Sequence, residues 1–220
     1  MRESRHALAL AIVAAVLWIA VSTPAQAQKY YLELKAGAAA TSTSNSLADK
    51  TILESRIGTS IGAAFGLNLM DGTLRAMGEC NYTCKGERYM IEDIHKQFDS
   101  EINYLETSPT IRYYTPWVPV YVGAGFYIGG TSTRNAIMGD TLDQSHAWQK
   151  QKYYKAMDFG TKVALGTEIG VGSIRFVLEG AYEYGLANVS DRKARKIKNR
   201  ALVVTMGLNF QIYGKHYRRY

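Results

Sequence analysis

Cysteine, proline, histidine and long hydrophobic runs are all scarce in this chain: 220 residues hold two Cys, four Pro and four His. Two cysteines exclude a disulfide-dense secreted scaffold. Cys80 and Cys84 have no histidine clustered beside them, which excludes a structural zinc site and leaves the chain without a metal centre or cofactor motif. The histidines (His6, His95, His146 and His216) are widely scattered, and no GxSxG, HExxH or P-loop pattern occurs. The longest apolar run is Ala7 to Val21, about fifteen residues, short for a bilayer-spanning helix. Downstream of it no stretch approaches that length, and charged residues make up 20% of the chain.

The N-terminus has the layout of an export leader. Arg2, Arg5 and His6 precede the apolar run, and Pro24 precedes Ala25-Gln26-Ala27, a small-x-small cleavage site. The expectation is a Sec signal peptide over residues 1–27, cut before Gln28, with an exported domain over 28–220. The competing reading is an uncleaved N-terminal anchor. No cysteine follows the apolar run, which excludes a lipoprotein.

What the exported part does have is alternation. From Tyr104 to Gly130, Leu105, Thr107, Pro109, Ile111 and Tyr113 share one strand face, opposite Glu106, Ser108, Thr110 and Arg112. After a tight turn, Val120, Val122, Ala124, Phe126 and Ile128 lie opposite Tyr121, Gly123, Gly125, Tyr127 and Gly129. One face is apolar; the other mixes glycine with charge. A soluble sandwich has no use for charge and repeated glycine on an inner face, whereas a narrow barrel with lipid outside and a packed polar lumen does.

The same period marks eight segments: Tyr30–Ala38, Ser55–Asn68, Thr73–Cys84, the two strands around the turn at Thr115-Pro116-Trp117, Met157–Ile169, Ser173–Leu186 and Ala201–Ile212. Connections alternate in length. Met70-Asp71-Gly72, Thr115-Pro116-Trp117 and Gly170-Val171-Gly172 read as tight turns. The stretches 39–54, 85–100, 134–156 and 187–200 read as long loops. Short periplasmic turns and longer extracellular loops are the layout of outer-membrane barrels. The fold expected is therefore all-β: an eight-stranded antiparallel up-and-down transmembrane barrel, closed because hydrocarbon offers no partner to an open sheet edge.

The inward set carries both signs: Glu33, Lys35, Arg75, Glu79, Glu106, Arg112, Lys162, Glu168, Arg175, Glu179 and Glu183. Buried without partners these would be very costly, so they are expected to interlock as ion pairs. The rival is a narrow, charge-lined, porin-like channel for small solutes; eight strands leave little lumen for one. Sixteen tyrosines suggest two aromatic belts. Tyr113, Tyr114, Trp117, Phe210 and Tyr213 would form one at the short-turn end, and Tyr82, Tyr182 and Tyr184 the other.

These residues resemble the PorT-like outer-membrane β-barrel group of the Bacteroidetes, distantly similar to the small barrels OmpA, OmpX and OmpW. The stretches that carry the resemblance are Glu79 to Gly86, Tyr104 to Pro109, Val120 to Tyr127, and Phe159-Gly160-Thr161 through Glu179-Gly180-Ala181-Tyr182. The resemblance covers the exported chain. It implies a fold and a Gram-negative cell-envelope location, and supplies no catalytic residues. In the PorT protein proper it implies a part in type IX secretion, which membership alone does not extend to this chain. Barrel-assembly signals end on an aromatic residue; Phe210 fits, although about ten residues follow it.

Three further features bear on function. A Cys80–Cys84 bridge requires the strand to end near Asn81, since residues four apart on a strand lie about 13 Å apart; otherwise both thiols are free. Asp143, Ser145 and His146 have the residue types of a lipid-modifying site, but a polar loop gives them no rigid support. The segment 191–200 holds Arg192, Lys193, Arg195, Lys196, Lys198 and Arg200, much of the net charge of +7. Nucleic acid is not a credible partner for an exported barrel. Lipopolysaccharide phosphate or a surface polyanion is the expected partner, with a plain solvated loop as the alternative, besides membrane lipid, the barrel-assembly machinery during insertion and protein partners in an envelope complex. The overall expectation is a non-enzymatic structural or interaction protein presenting four surface loops, with a channel and a lipid-modifying enzyme as alternatives.

Overall fold

The computed structural model describes residues 29–45, 51–70, 72–91, 96–140, 148–150, 155–190 and 197–213. The proposed leader and the segments holding His95, Asp143, Ser145 and His146 lie outside them. The described residues form ten strands: β1 (Lys29–Asn45), β2 (Thr51–Glu54), β3 (Arg56–Met70), β4 (Leu74–Ile91), β5 (Lys96–Tyr114), β6 (Val120–Asp140), β7 (Trp148–Lys150), β8 (Met157–Val171), β9 (Ile174–Gly185) and β10 (Ile197–Tyr213). No helix occurs among the described residues.

The eight long strands follow one another around a ring, β1-β3-β4-β5-β6-β8-β9-β10, and β10 pairs back to β1. Every register between neighbours on this path is antiparallel wherever it is resolved pair by pair. Closure leaves no edge within the ring, which a sheet immersed in hydrocarbon requires. The outer face is apolar. Leu34, Ile61, Val122, Val163, Leu165, Phe176, Leu202 and Met206 all stand exposed on it, and the charged set points the other way.

Three turns at one end are tight. Gly72 and Gly172 hold positive φ of 88° and 73°, a backbone conformation that a side chain resists. Between β5 and β6, the Thr115 hydroxyl donates to the Val118 and Val120 carbonyls and fixes the third turn.

At the other end strand runs into all four of the long loops expected from sequence. Ordered ladder covers most of the stretches assigned to loops at 39–54 and 85–100; in 134–156 it continues to Asp140 and returns at β7, and β10 starts at Ile197 rather than Ala201. The reason is physical: beyond the membrane both faces of a strand meet water, so the apolar–polar contrast that reveals strands disappears while pairing continues. The extension is lopsided. β6 runs 21 residues and β5 19, against 12 for β9. About ten residues cross a bilayer, so β6 continues for roughly 30 Å beyond it. β2 adds alongside β4 at Arg88–Ile91, and β7 alongside β6 at Asn135–Ile137. The result is a five-stranded blade, β2-β4-β5-β6-β7, standing above one side of the barrel.

Candidate functional site

The interior is built in three tiers. In the middle tier the Arg112 guanidinium donates to both carboxylate oxygens of Glu33 (2.7 and 3.1 Å) and to Glu179 (2.7 Å). Lys35 reaches Glu79 at 2.6 Å and Glu179 at 3.1 Å. Lys162 reaches Glu79 at 2.7 Å. The Tyr121 hydroxyl donates to Glu179 at 2.8 Å, and Thr110 donates to Glu79 at 3.2 Å. Three carboxylates therefore meet three cations, and all six side chains are buried. The forked guanidinium suits this place because it bridges two carboxylates at once.

The tier nearest the short turns centres on Arg75. It donates to Glu168 at 3.0 Å and lies over the rings of Tyr31 (3.5 Å) and Tyr114 (4.3 Å). Arg175, a partly exposed residue, joins more loosely, 3.6 Å from Glu168. Tyr114 therefore belongs to the interior and not to the aromatic belt expected of it. Its ring packs on Tyr121 at 5.0 Å. Adjacent residues on a strand face opposite ways, so Tyr113 and Tyr114 cannot both meet lipid. Tyr113 and Trp117 are exposed outward.

The tier nearest the blade centres on Lys85, 2.5 Å from Glu106 and 2.7 Å from Glu183. Asp158 lies here too, accepting from Tyr127 (3.2 Å) and Asn199 (2.8 Å). Lys85 was missed as a lumen charge from sequence, and Asp158, which alternation puts on the inner face, was left out of the expected network. Lys85 falls where the loop was expected to begin, and Asp158 opens its strand. Above this tier Ile102, Tyr104, Val189 and Ile197 form a buried apolar cap. The cap is pinned by Val189 N–H to the Ile197 carbonyl (2.9 Å) and by Ile197 N–H to the Asn188 side chain (2.9 Å).

Glycine makes this filling fit. A Cβ on Gly166 would enter the Tyr121 ring, and one on Gly160 would meet the Tyr127 ring at 2.6 Å. The interior is thus plugged by paired charge, tyrosine rings and an apolar cap.

Cys80 and Cys84 are free, because β4 continues well past Asn81 and keeps them apart on its outer face. Of the six cations proposed to meet polyanion, Arg192, Lys193, Arg195 and Lys196 lie outside the described residues. Lys198 and Arg200 stand on β10 and flank Tyr184, at 5.8 and 5.5 Å from its ring centre. No group of His, Cys, Asp and Glu among the described residues is arranged to hold a metal ion.

An apolar outer wall, a closed antiparallel ring and a polar plugged lumen define the class: an integral membrane β-barrel. The family model for the outer membrane protein beta-barrel domain matches residues 11–210, and the chain belongs to that family. Its location is accordingly the outer membrane. No curated protein matches the chain. Among solved structures it is similar to Neisserial surface protein A, at 19% identity, TM-score 0.41, covering 83% of this chain and 97% of the other. It is also similar to Ail, the attachment invasion locus protein of Yersinia pestis, at 14% identity, TM-score 0.42, covering 84% and 100%. A third is the N-terminal barrel of Pseudomonas aeruginosa OprF, at 14% identity, TM-score 0.34, covering 85% and 100%.

Proposed function

We propose that this protein is a non-enzymatic interaction protein of the outer membrane: a plugged barrel that anchors a rigid β-blade at the cell surface. The observation that carries the reading is the blade itself, five strands continuing three barrel strands past the lipid. Main-chain pairing holds it out as one piece, and β2 and β7 give it two short edges. The plugged lumen supports the same reading, since paired charge fills the path a solute would take. In this reading the chain arrives through a Sec leader over residues 1–27 and is inserted by the barrel-assembly machinery. It is kin to the PorT-like group of the Bacteroidetes and serves adhesion, envelope integrity or a secretion assembly through protein contacts on the blade.

The test shortens the blade. Residues 87–100 are replaced by a tight turn, joining β4 to β5 near the membrane. Surface adhesion and resistance to large antibiotics are then compared in cells carrying each form. The shortened protein should still be found folded in the outer membrane but fail in at least one of these properties. If both properties match the full-length protein, the reading is wrong.

A further inference from the structure

The outer wall is not uniformly smooth. On β9 the outward series runs Leu178, Gly180, Tyr182, Tyr184, and a Cβ at Gly180 would meet nothing closer than the Leu165 carbonyl oxygen, at 3.9 Å, where its neighbours carry side chains. Register places Leu165 of β8 and Val204 of β10 on either side of Gly180, and Val163 and Leu202 on either side of Tyr182. Together they form an apolar groove of about 680 Å³ running up β9. The next register row pairs Tyr184 with Arg200. Arg200 is exposed, Lys198 is half-buried, and both hold their charges beside the Tyr184 ring. No carboxylate of the described residues pairs with either cation. From Gly180 to Tyr184 is four residues, roughly 13 Å along the strand.

An acyl slot that ends at two cations, at the end of the barrel away from the tight turns, selects an amphiphile with hydrocarbon below and phosphate above. That end faces the outer leaflet, because the tight turns mark the periplasmic end. We infer that the groove with Lys198 and Arg200 is a specific site for lipid A, the acylated phosphosugar of lipopolysaccharide. One acyl chain lies over Gly180 and one phosphate sits between the two cations. This rests on the outer-membrane reading and sharpens the polyanion expectation to a defined place. A phospholipid of the inner leaflet would put its headgroup at the opposite end of the groove.

The experiment uses the full protein, purified from membranes in mild detergent. Binding of lipid A, dephosphorylated lipid A and phosphatidylglycerol is measured by native mass spectrometry. Lipid A should bind preferentially. Joint Lys198→Gln and Arg200→Gln replacement should weaken it about thirty-fold, the effect of removing two surface cations. A Cβ at Gly180 meets nothing closer than 3.9 Å, so Gly180→Leu should leave folding intact and lower lipid A retention severalfold. Equal binding of the three lipids, or wild-type affinity in both variants, overturns the site. A protein that needs no detergent for extraction would instead overturn the membrane reading, so the two failures are distinguishable.

Discussion

Arg112 bonds to Glu33, 79 residues away in sequence, and to Glu179, 67 residues away. Removing it leaves two buried carboxylates short of a partner. Breaking a buried pair from one side costs about 3–5 kcal/mol, because the remaining charge is uncompensated. Arg112→Met should therefore lower the denaturant midpoint of the folded barrel sharply, followed by the gel shift between folded and heat-denatured forms. Lys162→Met should cost distinctly less, since Glu79 keeps Lys35 at 2.6 Å. Equal effects would mean that the tier is not organised around the guanidinium. The residue types on the inner face could be read from sequence, because alternation assigns each residue a face. Their partners could not: pairing across the lumen depends on barrel stagger, which no local pattern encodes. Tyr121 shows the same limit. Its face was evident, but its bond to Glu179 and its seat on Gly166 are products of closure.

At the scale of elements, the strands that touch lipid were legible and their outward continuations were not. Val120 to Ile128 alternates because hydrocarbon lies on one side. Arg134 to Asp140, on the same strand, lies past the ten or so residues that a bilayer spans and gives no period. The register across β4 and β5 is continuous from Leu74↔Tyr113 to Ile91↔Lys96, so barrel and blade share one ladder. Amide exchange should therefore fall into two classes along β5. Residues near Ile111 should be protected to the level of global unfolding, while those near Phe98 should exchange by local opening, being far from the plugged core. Exchange at Phe98 as fast as in a free peptide would mean that the blade is not a paired sheet. The turn ends behave differently. Gly172 holds a φ of 73°, so Gly172→Val should strain the β8–β9 turn by about 1–2 kcal/mol and reduce folded yield on insertion. Unchanged yield and stability would show that the turn relaxes at no cost.

For the molecule as a whole, the side of the wall that meets lipid and the state of the lumen are separate questions. Val122, Val163 and Leu208 all lie on the outer surface, at 50%, 54% and 36% exposure. Cysteine introduced at each, in a background lacking Cys80 and Cys84, should react with membrane-dissolved maleimides and resist water-soluble ones. Cysteine at Gly123, on the inner face beside Arg112, should resist both. That pattern establishes the orientation of the wall but leaves conduction to be tested. An ion crossing the barrel would have to pass the Lys85 tier, the neutral middle tier and the Arg75 tier, displacing pairs held at 2.5 to 3.1 Å. The buried cap of Ile102, Tyr104, Val189 and Ile197 adds an apolar layer to this path. Separating such buried pairs costs several kcal/mol each, so steady current is not expected from the intact barrel. In planar bilayers the wild-type protein should be electrically silent. Joint replacement of Lys35, Arg112 and Lys162 with serine should either abolish folding or produce flickering openings, because it removes three long side chains from one level. Regular openings in the wild type, of constant amplitude and present only with heat-modifiable protein, would show that the network rearranges into a conducting path, and the plugged-anchor reading would give way to a channel.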